Sequence, residues 1–231
     1  MLDTSVPNLA RAYDCLLGGG ANFAADRSLA ERVKELYPAA AEILSLSRTY
    51  QAASLASMAN VGVAQYVDVG SGLPTRPSTH AVVRKIVPGA RVAYVDRDPA
   101  VTGHLASLIP PGARAFEGDL AEPEALLDAL GGFIDFTRPV GLVLAMVLQV
   151  LEPPTARAVA GVLIRALPPG SHVLITAGAG ERGRLPDAVA PEGYEAADIA
   201  GFLAGLELLP PGIGQGPILT ATGRKPGTRP A

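Results

Sequence analysis

The chain has a single cysteine, Cys15. One thiol cannot close an intrachain disulfide, nor can it build a cysteine-based zinc cluster. A small apolar residue buried in a helix is the role left for it. Charge is scarce too. Asp, Glu, Lys and Arg make up 18% of the residues, with no block of like charge. The net charge is −3, whereas a phosphate-binding face shows a basic excess, so nucleic acid is disfavoured as a partner. Long apolar runs are missing, and the longest, residues 140–151, is too short to span a bilayer. The opening MLDTSVPNLARAYD lacks the basic start and apolar stretch of a signal peptide. These absences predict a cytoplasmic protein without a membrane partner. The 3 histidines show no metal-ligand spacing, so no metal is expected.

What is present describes a folded chain. Hydrophobic residues make up 48% of 231, enough for a sizeable core, and 26 glycines with 21 prolines imply many turns. The first sixty residues read as three helices, over 7–17, 24–36 and 39–59, with Pro7 in the first turn and Gly18, Gly19 and Gly20 closing it. The character then changes. Short apolar strands are predicted over 64–69, 91–96, 114–118, 140–148 and 172–176. Helices alternate with them over 79–87 (capped by Ser78 or Thr79), 99–108, 123–130 and 154–167. Apolar strands alternating with helices imply a doubly wound α/β fold with a mostly parallel sheet covered on both faces. A last helix over 196–204 and a hairpin from 207–209 and 217–222 complete the domain. The division predicted is a helical N-terminal cap or lid (1–62), an α/β domain (63–222) and a flexible tail (223–231).

The stretch YVDVGSGLPT, residues 66–75, carries the chemistry. Glycines just after a strand let a backbone approach a ligand closely. The nicotinamide fingerprint G-x-G-x-x-G is incomplete, because Thr75 stands where the third glycine belongs and Pro74 and Pro77 delay the helix. Neither a P-loop motif nor a G-x-S-x-G elbow is present. Asp68 lies in the loop approach, where it would repel a pyrophosphate but attract an ammonium or sulfonium. Asp96 ends the second strand, where a carboxylate suits the two hydroxyls of a ribose. Asp119 ends the third, within reach of an adenine amino group. Taken singly, Asp68 would equally bind a turn amide, and Asp96 and Asp119 would equally cap the helices at Pro99 and Pro123. At matched strand ends, with no basic cluster opposite, they describe a pocket for a cationic, phosphate-free nucleoside. S-adenosylmethionine is such a molecule.

RAYDCLLGGGANFAADR, VDVGSGLPT with the following His80, YVDRDP and DFTRPVGLVL together resemble an actinobacterial family of S-adenosylmethionine-dependent methyltransferases, formerly a domain of unknown function. The likeness runs from about residue 7 to 209. It implies a class I, Rossmann-like sheet of seven strands with the last antiparallel, under a helical N-terminal cap. It also implies that Asp68, Gly70, Ser71 and Gly72 line the methionine part of the cofactor, that Asp96 meets the ribose, and that Asp119 and Leu120, flanked by Arg97, meet the adenine. Met146 joins this set. Arg48, amid apolar and hydroxyl residues on the third helix, is a candidate for the cofactor carboxylate; a surface role is the alternative.

The chain departs from that pattern in three places. Gly20 stands where the family has a lysine, Gln149 where it has a histidine, and the portion after Thr176 looks shortened. Glutamine cannot act as a general base. Tyr13 and Gln149 are the candidate catalytic residues. If the N-terminal helices fold over the pocket, the glycine turn at 18–20 would lie above the methyl group. The expected function is methyl transfer from S-adenosylmethionine to a small-molecule acceptor, by a monomer or homodimer. The alternative is an adenosyl-binding protein that has lost methyl transfer and catalyses another reaction, such as a cyclisation, or regulates a partner.

Overall fold

The computed structural model describes residues 4–74, 77–180 and 193–227. The chain opens with three helices: α1 (Leu9–Leu16), α2 (Ala24–Leu36) and α3 (Ala40–Asn60). α1 starts one residue after Asn8, whose side chain accepts from the Arg11 amide at 3.1 Å. That bond satisfies one of the donors a helix start leaves free. Pro7, expected inside the first turn, lies before this cap. The turn after α1 is organised by Asp14, whose carboxylate accepts from the Ala21 amide at 2.9 Å.

Then strands and helices alternate: β1 (Gln65–Val69), α4 (Thr79–Val83), β2 (Arg91–Asp96), α5 (Pro99–Leu108), β3 (Ala113–Glu117), α6 (Pro123–Leu130), β4 (Gly141–Ala145), α7 (Pro153–Ala166) and β5 (His172–Gly178). The chain closes with α8 (Ala196–Phe202) and the antiparallel pair β6 (Glu207–Leu208) and β7 (Ile218–Arg224). One seven-stranded sheet results, in the order β3-β2-β1-β4-β5-β7-β6. Pairs among β1 to β5 are parallel, and β7 runs antiparallel to β5. The doubly wound α/β architecture is therefore as expected.

Side chains alternate across a strand, and the core divides accordingly. Val67 and Val69 of β1 join Val95, Leu142, Leu144, Val173 and Ile175 under α6, α7 and α8. Tyr66 joins Val92, Tyr94, Val143 and Leu174 under α3, α4 and α5. α3 is tied to the sheet by a seam of hydroxyls. Ser47 meets Thr176 of β5 at 2.8 Å, Tyr50 meets Thr222 of β7 at 3.1 Å, and Thr222 donates to Ser54 at 3.2 Å.

Three boundaries differ from expectation. The strand predicted over 140–148 stops at Ala145, because Met146 takes a left-handed backbone (φ 55°) and residues 148–150 coil into a single 3-10 turn. Of these, Leu148 is fully buried in the core. The helix predicted to reach residue 87 ends at Val83 and passes into turns. Ser78 occupies the cap position, as expected, but its side chain makes no capping bond, and Thr79 donates its hydroxyl to Asp68. The last strand runs past Thr222 to Arg224, where Gly223 and Arg224 pair with Val173 and His172.

Candidate active site

The carboxyl ends of β1 to β5 open into one cavity of about 680 Å³, roofed by α1, α2 and the first half of α3. Tyr13, Arg48, Asp68, Gly70, Ser71, Gly72, Asp96, Arg97, Asp119, Leu120, Met146 and Gln149 all line it. The candidate cofactor-binding and catalytic residues of the sequence thus meet at one place. The glycine turn at 18–20 does not: its residues are exposed and absent from the cavity wall. The roof is made instead by the faces of the helices, with Ala10, Tyr13 and Leu16 of α1 looking inward.

The loop after β1 needs its glycines for two different reasons. Gly70 and Gly72 both have left-handed backbones, at φ 63° and 61°, which glycine adopts without steric cost. A Cβ on Gly70 would also stand 2.2 Å from the Val147 side chain. The Gly72 site is more open, its nearest neighbour being Ala10 at 3.6 Å. Thr75, the missing third glycine, lies outside the described residues.

The three carboxylates are held differently. Asp68 is buried and accepts from the Thr79 hydroxyl. Burial pushes its pKa up to about 6; the Thr79 bond and the Arg48 charge pull it down, and the neighbouring Asp96 charge adds to the rise. Asp96 accepts from the Gly72 amide through Oδ2 and from the Asp98 amide through Oδ1, both at 3.0 Å. Burial raises its pKa as well. The cap before Pro99 is Asp98, which accepts from the Ala100 amide at 2.8 Å. Asp98 also accepts from the Asn8 side chain, so α1 is fastened to the end of β2. Asp119 accepts from the Ala121 amide at 2.9 Å in a local turn, and Glu122 occupies the cap position before Pro123. The helix-cap readings of Asp96 and Asp119 therefore do not hold.

Arg48 donates to Gln51 at 2.9 Å and reaches the Pro77 carbonyl at 3.5 Å. Tyr13, on the roof, has its pKa raised by burial, with Arg48 lowering it and Asp68 raising it further. His80 is turned away from the cavity and pairs through Nδ1 with the Tyr94 hydroxyl at 2.8 Å. No group of His, Cys, Asp or Glu suited to a metal ion occurs among the described residues. No helix among them is long and apolar enough to cross a membrane.

Three features had no signal in the sequence. Met146 carries no mark of its positive φ. Asn8 gives no hint of its bond to Asp98, ninety residues away. The apolar roof residues Leu29, Val33, Ile43 and Leu44 look like ordinary helix core, yet all line the cavity.

The residues fit an adenosyl ligand. The glycine loop is open to close approach. Each Asp96 oxygen takes one amide N–H and keeps lone pairs for hydroxyl donors. The carboxylates outnumber the cationic side chains on the wall: Asp68, Asp96, Asp98 and Asp119 stand against Arg48 and Arg97.

Comparison with known proteins points the same way. The sequence profile of the S-adenosyl methyltransferase family matches residues 1–220. Among curated proteins, none matches the chain. A Thermobifida fusca protein classed as a methyltransferase superposes with a TM-score of 0.89 at 31% identity, covering 97% of both chains. A DUF574 family protein from Streptomyces avermitilis gives 0.88 at 28%, covering 97% of this chain and 99% of its own. A Burkholderia thailandensis 1,6-didemethyltoxoflavin-N1-methyltransferase, solved with that compound and S-adenosylhomocysteine, gives 0.53 at 18%, covering 75% of this chain and 77% of its own. At that identity the likeness is one of fold, the Rossmann-like class I methyltransferase sheet.

Proposed function

Since the chain belongs to the S-adenosyl methyltransferase family, whose cofactor is S-adenosylmethionine, we propose that it methylates a small-molecule acceptor held beneath its N-terminal helices. The observation that carries the reading is the convergence of the glycine loop and the acids of three consecutive strand ends on one roofed cavity. Net charge of −3 supports a small molecule over nucleic acid as the acceptor.

The chemistry supplied by bound S-adenosylmethionine is a methyl group on a sulfonium, open to in-line displacement. The chain's own residues bind, orient and exclude water. Asp68, ionised, faces the cationic methionine end, with Gly70, Ser71 and Gly72 giving close backbone approach. Asp96 accepts from the ribose hydroxyls. Asp119 and Leu120 take the adenine, with Arg97 at its edge. Arg48 holds the carboxylate, and Met146 lines the wall after β4. Tyr13 sits on the roof beside Asp68 and Arg48. Holding the acceptor close to the methyl group supplies orientation without a general base.

The test is calorimetric titration with S-adenosylmethionine, S-adenosylhomocysteine and NAD. Both adenosyl ligands are expected to bind and NAD is not. Asp96→Ala, which removes the ribose acceptor and the Gly72 contact, is expected to weaken them by at least about tenfold, or ~1.4 kcal/mol. Binding of NAD alone, or of none of the three, would overturn the reading.

A further inference from the structure

The first turn of α4 is held from outside the helix. α4 has only 5 residues, and the side chain at its cap position, Ser78, makes no capping bond. A helix start leaves backbone N–H groups without partners. Here another strand meets one of them. The His80 amide donates to the Tyr94 hydroxyl of β2 at 3.0 Å, and His80 Nδ1 lies 2.8 Å from the same oxygen. The two rings meet edge to face, 5.9 Å between centroids. Tyr94 is buried in the core, so the packing of β2 fixes where its hydroxyl stands. Tyr94 takes the place of the absent side-chain cap.

This turn supports the cavity from behind. Asp68 and Tyr94 are opposite partners in the β1–β2 pair. Thr79, buried at the start of α4, donates its hydroxyl to Asp68 Oδ2 at 2.5 Å. The Pro77 carbonyl just before it accepts from Arg48 at 3.5 Å. Asp68 and Arg48 line the cavity, whereas Pro77, Thr79, His80 and Tyr94 do not.

A hydroxyl that donates to a carboxylate favours its ionised form. Burial raises the Asp68 pKa, and the Thr79 bond is the largest influence opposing it, ahead of the Arg48 charge on α3. Asp96, at the end of β2, adds to the rise. Tyr13 of α1 and Tyr94 of β2 also face Asp68, and burial raises the pKa of both, so they are uncharged near neutral pH. On α4 itself His80 titrates, its pKa lowered by burial and by the Arg84 charge.

We propose that Thr79 is a positioning residue for cofactor binding and that the Tyr94–His80 contact holds it in place. The first turn of α4 thereby keeps Asp68 charged at neutral pH for the cationic end of S-adenosylmethionine, without touching the ligand. Without the Thr79 hydroxyl, a buried carboxylate has one donor fewer and holds its proton to higher pH. The inference rests on the methyl-transfer reading and adds what sets the pH range over which the cofactor binds.

The experiment has two readouts, one of them independent of any ligand. The Asp68 carboxyl is titrated by NMR in the ligand-free full chain, using isotope-labelled aspartate, and its signal is assigned by its loss in Asp68→Asn. Observation at Asp68 itself keeps the titration of His80 out of the result. Affinity for S-adenosylmethionine is measured by calorimetry across the same pH range. In the unaltered chain the midpoint is expected at about 6. Thr79→Val keeps the shape and loses the hydroxyl. It is expected to raise the midpoint by about one unit, the scale of one hydrogen bond to a charged group. Affinity should then fall about tenfold on the acid side of the midpoint and much less on the alkaline side. Thr79→Ser returns the donor and should return the midpoint. Tyr94→Phe removes one oxygen outside the cavity and should move the midpoint the same way by a smaller amount. It also decides the matter if the valine variant does not fold. A midpoint unmoved by Thr79→Val, or still raised in Thr79→Ser, would overturn the role of Thr79, as would an affinity loss equal at every pH. A midpoint moved by Thr79→Val and not by Tyr94→Phe would remove the hold assigned to Tyr94. If the midpoints move as expected and S-adenosylmethionine binds at no pH, the methyl-transfer reading fails and the control of Asp68 by Thr79 stands.

Discussion

Asp68 is the residue whose chemistry is most exposed to test. Its folded-state pKa, about 6, lies above the ordinary aspartate value of 3.8. Between these values the folded chain holds a proton that the unfolded chain has lost. The resulting stability is full below about pH 4 and is lost as pH rises through about 6. At neutral pH Asp68 is therefore an ionised carboxylate in a buried site, and a cationic ligand offsets its cost. Affinity for S-adenosylmethionine is expected to rise about tenfold per pH unit below 6 and to level off above it. Asp68→Asn should flatten that profile, as calorimetry at several pH values would show. A second prediction concerns Gly70. Alanine there meets both a left-handed backbone and the Val147 side chain. Gly70→Ala is expected to cost about 2 kcal/mol of stability, in the range of overpacked sites, and to abolish cofactor binding. Urea unfolding and titration measure the two effects separately.

The elements above the cavity are held by few, specific contacts. Asp26 of α2 is fully buried and paired with Arg11 of α1 at 2.7 Å. Burial pushes its pKa up, but the Arg11 pair and the amides of Asn8 and Phe23 together bring it below the ordinary value. The stability this pair contributes is present above about pH 4 and lost as pH falls through the lowered pKa. Asp26→Asn leaves the buried guanidinium without its charge partner. It is expected to destabilise the chain by about 3 kcal/mol, with a matching drop in urea midpoint. Because α1 also carries Asn8 to Asp98, the same variant should weaken cofactor binding. α3 is a different kind of element. Its hydroxyl seam to Thr176 and Thr222 contains no charge, so its attachment should be insensitive to salt.

For the whole molecule, the cavity lies between two parts of the chain, the roof and the sheet. A ligand binding there touches both and stabilises the folded state by mass action. At a hundredfold excess over Kd the gain is ~2.7 kcal/mol, which raises Tm by roughly 5–10 °C in a chain of this length. Hydrogen exchange should show protection by S-adenosylhomocysteine in α1 and in residues 69–73 together. Protection confined to the loop would mean that the roof does not close on the cofactor. Much of this arrangement is legible in the chain as read. Short apolar runs alternating with helical stretches mark β1, β2, β3 and β5, and the acids at the ends of β1, β2 and β3 are visible as letters beside them. The end of β4 was not, because residues 140–148 are apolar throughout and carry no periodicity to mark where a strand becomes a 3-10 turn. The helix before Pro88 was read too long for a related reason: its residues suit a helix, but the turns after Val83 are set by packing.

The sequence by itself determined the doubly wound sheet, the glycine loop and the order of its acids. Each of these is a local matter, written in residues a few positions apart. Only the tertiary structure decided that Asp96 holds the glycine loop and does not cap a helix. It alone decided that the roof is made of helix faces and not of the turn at 18–20, and that Gln149 accepts from the Gly178 amide. Those outcomes depend on contacts between residues far apart in the chain, such as Asn8 with Asp98, Ser47 with Thr176 and Gln149 with Gly178. Local spacing carries no record of such pairs, because the packing of the whole fold brings them together.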